Sequence, residues 1–409
     1  MKKVIFYYLA SFNVINYFSI LLFGSDSAGS SFIHPGVIIK GLISSLLLFW
    51  YLTNKSNLKS SYYKLGLPLI IFLILVYHPI QSYVNYSLPG FIFEYNQGFK
   101  ITTFILIIFF IADNKKYFIE RFNIIMLINT LVVTMNLYLA YFFNFGKTTM
   151  YHDLGYYKGF LGGNSVSVAL IIIFAFLLYS FNKSRVYKIL FFMNLFNFYI
   201  LGTKSVYFIV PVLIIFLLNE IRTNSNKLFI YPLAIGCLSI VFVLSSLDDK
   251  AKKIYDDRIG YHYNHEYNKL LTKGHIYNNP ILYTLESITS GPRLYRAVNI
   301  TSQISSSDSW IILFGHGAKD QRVNIPASKM DPVDITYKYG LFGLLLIYGV
   351  IFVISKLIIF NKKTDLISTV ILCISIYSTL GGFVMGTGDI GIFFGFFLGL
   401  SYPLKRIYS

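Results

Sequence analysis

Charged side chains are scarce in this 409-residue sequence, where they make up 13% of the residues. A soluble chain of this length needs about a quarter of its residues charged to cover its surface. The composition therefore excludes an ordinary soluble globule. Cysteine is also rare: Cys237 and Cys373 both lie in apolar runs, which leaves neither a disulfide framework nor a zinc-ligand spacing.

Several common catalytic motifs are missing as well. The sequence contains no P-loop, no Rossmann glycine pattern, no H-E-x-x-H and no G-x-S-x-G. The sequence therefore gives no support for a nucleotide-dependent enzyme or for a protease of the common classes. No cofactor is expected.

Apolar and aromatic side chains are abundant, at 55% and 18% of the residues. Apolar runs close to the length of a bilayer crossing, about 20 residues, recur from end to end. They predict an all-α, polytopic integral membrane protein with about twelve transmembrane helices. The crossings are expected at residues 4–23, 34–52, 65–80, 97–112, 122–144, 162–181, 187–202, 205–219, 228–247, 335–355, 366–383 and 388–404.

The net charge of +17 is also typical of proteins that bind nucleic acid. Most of the basic residues, however, lie in alternate short links between apolar runs, where they set the orientation of the helices. The short links on the opposite side hold only Lys147 and Lys158. The positive-inside rule therefore predicts that both termini are cytoplasmic, and no nucleic-acid partner is expected.

Residues 248–334 form a long polar segment that falls on the external side. The segment is too long to be a mere connector. It begins with the mixed-charge amphipathic stretch 248–273, which predicts short helices lying at the membrane surface. We therefore expect one transmembrane domain over residues 1–409, with this large loop between the ninth and tenth crossings.

Two arginines in the external segment have a spacing that suits an anion. The sequence S-G-P-R-L-Y-R at 290–296 predicts a helix start, and Arg293 and Arg296 then share one face of the first turn. Two guanidinium groups beside free backbone N–H groups can bind phosphate or pyrophosphate. The alternative is that both arginines are solvated or contact lipid headgroups.

Further along the segment, a glycine turn and two carboxylates precede the tenth crossing. Gly315 and Gly317 permit a tight turn that could bring His316 or backbone N–H groups to a ligand, although an ordinary surface turn has the same pattern. Asp334 is placed as a helix N-cap or, like Asp331, as a general base at the mouth of the helix bundle. Arg322 lies in the same stretch.

Two other outer positions carry candidate residues. The glycine-rich link before the sixth crossing contains His152 and Lys158. Lys204 lies in a turn between two short apolar stretches, so we expect the turn to be recessed in the membrane. An ionisable group at that depth is a functional candidate, although a lysine near a helix end can also extend to the membrane surface.

Five sequence elements follow one another in a characteristic order. They are G-F-L-G-G-N at 159–164, G-T-K-S at 202–205, S-G-P-R at 290–293, L-F-G-H-G at 313–317, and the stretch 331–343, which begins with an aspartate and ends in G-L-F-G. This order resembles the O-antigen polymerases of the Wzy type and the related O-antigen ligases, and the resemblance implies a GT-C-like membrane fold. Ligases typically carry a histidine ahead of the G-x-x-G element, and this chain has Lys329 there, which favours a polymerase.

The resemblance implies a glycosyltransferase of the bacterial inner membrane that joins undecaprenyl-pyrophosphate-linked oligosaccharides on the periplasmic face, with a chain-length regulator as a possible partner. An O-antigen ligase or a flippase for lipid-linked oligosaccharides are the alternatives. The bases expected for the acceptor hydroxyl are Asp334, Asp331 and His316. The residues expected to bind pyrophosphate or sugar are Arg293, Arg296, Lys204, Arg322, Lys158, His152 and Tyr337.

Overall fold

The computed structural model describes residues 1–23, 35–54, 67–148, 157–161, 163–201, 212, 214, 293–324, 327–328, 330–360, 365–380, 384 and 388–402. This part of the chain is built almost entirely of helices, as predicted. The helices are α1 (Lys2–Phe23), α2 (Pro35–Asn54), α3 (Leu67–Phe72), α4 (His78–Asp113), α5 (Lys115–Phe143), α6 (Gly163–Ser180), α7 (Arg185–Leu201), α8 (Arg293–Ser305), α9 (Ser309–Phe314), α10 (Ala318–Asn324), α11 (Asp331–Phe360), α12 (Leu366–Leu380) and α13 (Gly388–Ser401).

Several of these helices have the length and composition that a bilayer crossing requires. In the described residues, four stretches qualify in full: Lys2–Leu22, Leu67–Asp113, Lys115–Phe143 and Asp331–Lys356. Shorter apolar helices cover Ile38–Thr53, Val166–Ser180, Leu366–Thr379 and Ile390–Ser401. The crossings predicted at 205–219 and 228–247 and the amphipathic stretch 248–273 lie outside the described residues.

The stretch Leu67–Asp113 is a helical hairpin rather than one straight helix. A short π-helical turn, Leu73–Tyr77, joins α3 to α4, and Ser87 then breaks the helix with φ 57° and ψ −161°. Beyond Ser87 the chain runs back along itself, because a Cβ on Gly98 would lie 2.8 Å from the carbonyl oxygen of Ile74. We call residues 67–86 and 88–113 the first and second arms of this hairpin.

The sequence predicts a link between two crossings at residues 81–96, and in the structure these residues are helical on both sides of Ser87. Side chains from both arms contact the segment that follows residue 293, as the hydrogen bonds of Tyr86 and Glu94 demonstrate. Helix α10 therefore packs against both arms of the hairpin.

The second arm packs closely against α13. Gly395 and Gly399 lie one turn apart on α13, and a Cβ on either would meet the main chain of the arm, at 2.9 Å from the Phe104 carbonyl oxygen and 2.5 Å from that of Ile108. Small residues at this spacing let two apolar helices approach closely. The Phe104 and Phe394 rings stack beside this contact, with centroids 6.0 Å apart.

A two-stranded ribbon closes the turn between α5 and α6. Strand β1 (Lys147–Thr148) pairs antiparallel with β2 (Tyr157–Gly159). The buried side chain of Asn136 on α5 secures it, because the amide accepts a hydrogen bond from the Phe160 N–H and donates one to the Lys158 carbonyl, at 2.8 and 2.9 Å.

Candidate functional site

Two glycine turns from separate parts of the sequence pack against each other at the start of the site. Gly315 has φ +84° and Gly340 has φ +68°, a left-handed conformation that favours glycine. The His316 N–H donates to the Tyr337 carbonyl at 2.8 Å, and the Gly317 N–H donates to the Lys338 carbonyl at 2.9 Å. A Cβ on Gly340 would overlap the main chain of Leu313. The L-F-G-H-G turn and the break in α11 therefore form one structural unit.

A carboxylate lies at the centre of the neighbouring cluster. Asp320 on α10 accepts hydrogen bonds from the hydroxyl groups of Tyr86 and Tyr337, both at 2.6 Å, and from the Asn324 amide at 2.8 Å. Bonds of this kind to an ionised oxygen are short and strong. We call these four residues the Asp320 cluster. It joins the first arm of the hairpin to α10 and α11.

His316 lies against the Asp320 cluster. Its ring stacks on Tyr337, with centroids 4.5 Å apart and an interplanar angle of 16°, and its Nε2 atom is 3.1 Å from the Ser307 hydroxyl oxygen. Burial lowers the pKa of His316 below its ordinary value of 6.5, and the negative charge of Asp320 opposes this shift in part. The imidazole is therefore neutral at pH 7, with one ring nitrogen able to accept a proton.

A cation lies beside the cluster. The Lys319 ammonium is 6.0 Å from the centre of the Tyr86 ring, within the range of a cation–π contact. Trp310 on α9 is 57% exposed, and its indole N–H donates to the Tyr77 hydroxyl at 2.8 Å. The adjacent carboxylate and amide of Asp320 and Asn324 suit a ligand rich in hydroxyl groups.

A second polar group is fully buried beneath the turn. Glu94, on the second arm, accepts hydrogen bonds from the main-chain N–H groups of Ala318 and Lys319, each at 2.9 Å. The register of the hairpin places the buried His78 opposite it on the first arm. Lys338 is close enough for its charge to act on Glu94.

The two predicted carboxylates of α11 are buried and hydrogen-bonded. Asp334 accepts from the Gln321 amide and from the N–H and hydroxyl of Ser328, at 2.8 to 2.9 Å. Asp331 accepts from the Ser378 hydroxyl and the Val384 N–H, both at 2.8 Å. These contacts connect α11 to the preceding loop and to α12. The role of either aspartate as a base stays a prediction.

The structure brings His316 and Tyr337 together but not all of the predicted residues. Arg296 is half-buried on α8, which packs on α11 through Ile300 and Tyr337. Lys158 lies on β2, which packs on α5 and α7, at a different part of the bundle. The side chains of Arg293 and Arg322, on α8 and α10, and the whole of His152 and Lys204 lie outside the described part of the structure.

The sequence predictions missed Glu94, His78, Tyr86 and Asp320. One signal was available: Glu94 is the only acidic residue between Asp26 and Asp113, and it lies between two apolar runs. A lone acidic residue in that position is a functional candidate. Within the described residues, no three histidine, cysteine or acidic side chains group together in a way that could hold a metal ion.

The chain matches no protein-family model, and no curated protein is detectably similar to it in sequence. Functional conclusions therefore depend on the site itself and on the resemblance of the motifs.

Proposed function

We propose that this protein is a glycosyltransferase of the bacterial inner membrane that polymerises undecaprenyl-pyrophosphate-linked oligosaccharide repeat units into an O-antigen or capsule-like polysaccharide. In this proposal the chain crosses the membrane about twelve times in a GT-C-like fold, both termini are cytoplasmic, and the reaction takes place on the periplasmic face. A chain-length regulator protein is a further proposed partner.

One observation carries the proposal. The Asp320 cluster and His316 form a polar, aromatic site where the L-F-G-H-G turn meets the start of α11. These are two of the motifs on which the resemblance to the polymerases depends. A carboxylate fixed by two tyrosine hydroxyl groups is suited to orient the hydroxyl groups of a sugar.

The proposed reaction is a single glycosyl transfer. The hydroxyl oxygen of the acceptor sugar attacks the anomeric carbon of the donor chain, and the bond from that carbon to the pyrophosphate oxygen breaks. Undecaprenyl pyrophosphate leaves with the bonding electron pair, and the hydroxyl proton passes to a base. Cationic side chains stabilise the leaving group. Those proposed for this role are Arg293, Arg296, Lys204 and Arg322, with Lys319 added from its position beside the cluster.

His316 is the best supported of the three proposed bases. Its neutral imidazole is half-exposed and has a nitrogen that can accept a proton, whereas Asp331 and Asp334 are buried. In this arrangement Asp320 orients the acceptor and His316 takes its proton.

A strain lacking the protein tests the proposal. We expect single repeat units attached to the lipid core, because the polymer is no longer extended. Unattached polymer in its place would indicate a ligase. The absence of both products on the outer side would indicate a flippase.

Variants expressed in that strain test the site. We expect Asp320→Asn and Arg293→Ala to lose long polymer on a polysaccharide gel while immunoblots show normal membrane levels. Asp308→Asn is the matched control, since Asp308 lies next to α9 and its side chain makes no capping bond there. Wild-type chain lengths in Asp320→Asn would contradict the proposed site.

A further inference from the structure

Glu94 makes an unusual connection between the hairpin and the outer segment. Its side chain is fully buried, and its two oxygens accept hydrogen bonds from consecutive main-chain N–H groups, those of Ala318 and Lys319. A carboxylate removed from water is costly unless it is well bonded. These two hydrogen bonds give both carboxyl oxygens of Glu94 a partner. They also attach the first residues of α10 to the second arm.

The next residue along the chain makes a connection to the first arm. Asp320 follows Lys319 directly and bonds to Tyr86, which precedes the break at Ser87. Helix α10 therefore bridges both arms within three consecutive residues. If the main chain at Ala318 and Lys319 shifted, Asp320 would lose its alignment with the hydroxyl groups of Tyr86 and Tyr337.

The chain passes directly over Glu94 and His78. A Cβ on Gly317 would lie 3.4 Å from Glu94 Oε2 and 3.6 Å from His78 Nδ1, which is ordinary van der Waals contact. His78 is itself fully buried, and its ring contacts Tyr339 with centroids 5.3 Å apart. Gly317 has φ +94°, a backbone conformation that favours glycine at this point.

We propose that Glu94 is a positioning residue of the glycosyltransferase: its carboxyl group, by accepting the two main-chain hydrogen bonds, fixes the start of α10 on the hairpin and thereby places Asp320 in the acceptor site. The consequence for polymer synthesis depends on the proposed function, whereas the docking of α10 does not.

The proposal requires a carboxylate rather than an amide. In Glu94→Gln one oxygen still accepts an N–H bond, but the amide NH₂ group faces the second N–H, so two donors meet. In Glu94→Asp the side chain is one carbon shorter and no longer reaches both N–H groups. Each change therefore removes one of the two hydrogen bonds to α10 without enlarging the side chain.

Hydrogen exchange on the purified full-length protein in nanodiscs measures the docking directly. In Glu94→Gln we expect amide protection over residues 318–324 to fall about tenfold, as the loss of one hydrogen bond at a buried group predicts. Protection over residues 341–356 should stay unchanged. Asp365→Asn is the matched control, since Asp365 accepts a bond from the Ser368 N–H at the start of α12, and it should leave residues 318–324 unaffected.

Polymer synthesis distinguishes positioning from general damage to the fold. Glu94→Gln and Tyr337→Phe both act through Asp320. The double variant should therefore make about as much long polymer as whichever single variant makes less. Independent losses that multiply would show that Glu94 acts elsewhere. Unchanged protection over residues 318–324 in both Glu94→Gln and Glu94→Asp would overturn the proposal. A third outcome separates the two proposals. If protection over residues 318–324 falls but the strain lacking the protein makes no single-unit product, the proposed function fails and the positioning of α10 stands.

Discussion

At the scale of single residues, the site depends on a few side chains whose surroundings change what they can do. Asp320 is fixed by two tyrosine hydroxyl groups, and His316 is kept neutral by burial against Tyr337. The sequence pointed to His316 and Tyr337 through the motifs around them. It gave no sign of Asp320 or Tyr86, because their hydrogen bond joins residues that are 234 positions apart.

The lowered pKa of His316 predicts a pH dependence of stability. An unfolded histidine takes up a proton near pH 6.5, whereas folded His316 takes it up only at lower pH, so the unfolded state binds more protons in between. Stability should therefore fall as the pH is lowered through 6.5 towards the folded pKa. We expect His316→Gln to lose this contribution, measured as melting temperature against pH in detergent.

Other histidines titrate in both proteins, so the difference between the two melting curves is the quantity to compare. Parallel curves for the wild type and His316→Gln between pH 7.5 and pH 5 (roughly the range over which histidines titrate) would contradict the shift assigned to His316.

At the scale of elements, the helices were predictable and their junctions were not. Apolar runs of suitable length locate α1, α2, α6 and α7 to within two residues, because hydropathy is a local property. The turn at Ser87 and the break at Gly340 lie where the hairpin and α11 contact α10 and α9. No local pattern contains those contacts, which is why the sequence predicts a link at residues 81–96 without its helical structure.

Gly340 offers a test of the junction between the two glycine turns. An added Cβ would meet the main chain of Leu313, and its φ of +68° strains any other residue. We expect Gly340→Ala to destabilise the protein by about 1–3 kcal/mol in thermal or denaturant unfolding. Gly349→Ala on the same helix is the control: a Cβ there meets nothing within 4 Å. It should be neutral or slightly stabilising, and equal losses in both variants would argue against the packing described.

At the scale of the whole molecule, the orientation in the membrane decides whether the site can meet its substrate. The Asp320 cluster lies at the end of the hairpin that is expected to face the periplasm. Lipid-linked oligosaccharides are extended there in the proposed reaction. If this end faced the cytoplasm, the same side chains could not take part.

A lone thiol tests this orientation. Ser306 is exposed just after α8, so in a background without Cys237 and Cys373 we expect Ser306→Cys to react with a membrane-impermeant maleimide in intact spheroplasts. Lys3→Cys is the control for the opposite side and should react only after permeabilisation. The reverse pattern would exclude a periplasmic site.

The connection between Glu94 and Ala318 has a consequence for biogenesis. The two residues are 224 positions apart, so the hairpin leaves the ribosome long before its partners exist. At about 10 residues per second, Glu94 waits on the order of 20 seconds for the N–H groups that will bind it. The docking of α10 on the hairpin is therefore a late step, and a nascent chain that stops short of residue 318 would leave the Glu94 carboxyl group without these two hydrogen bonds.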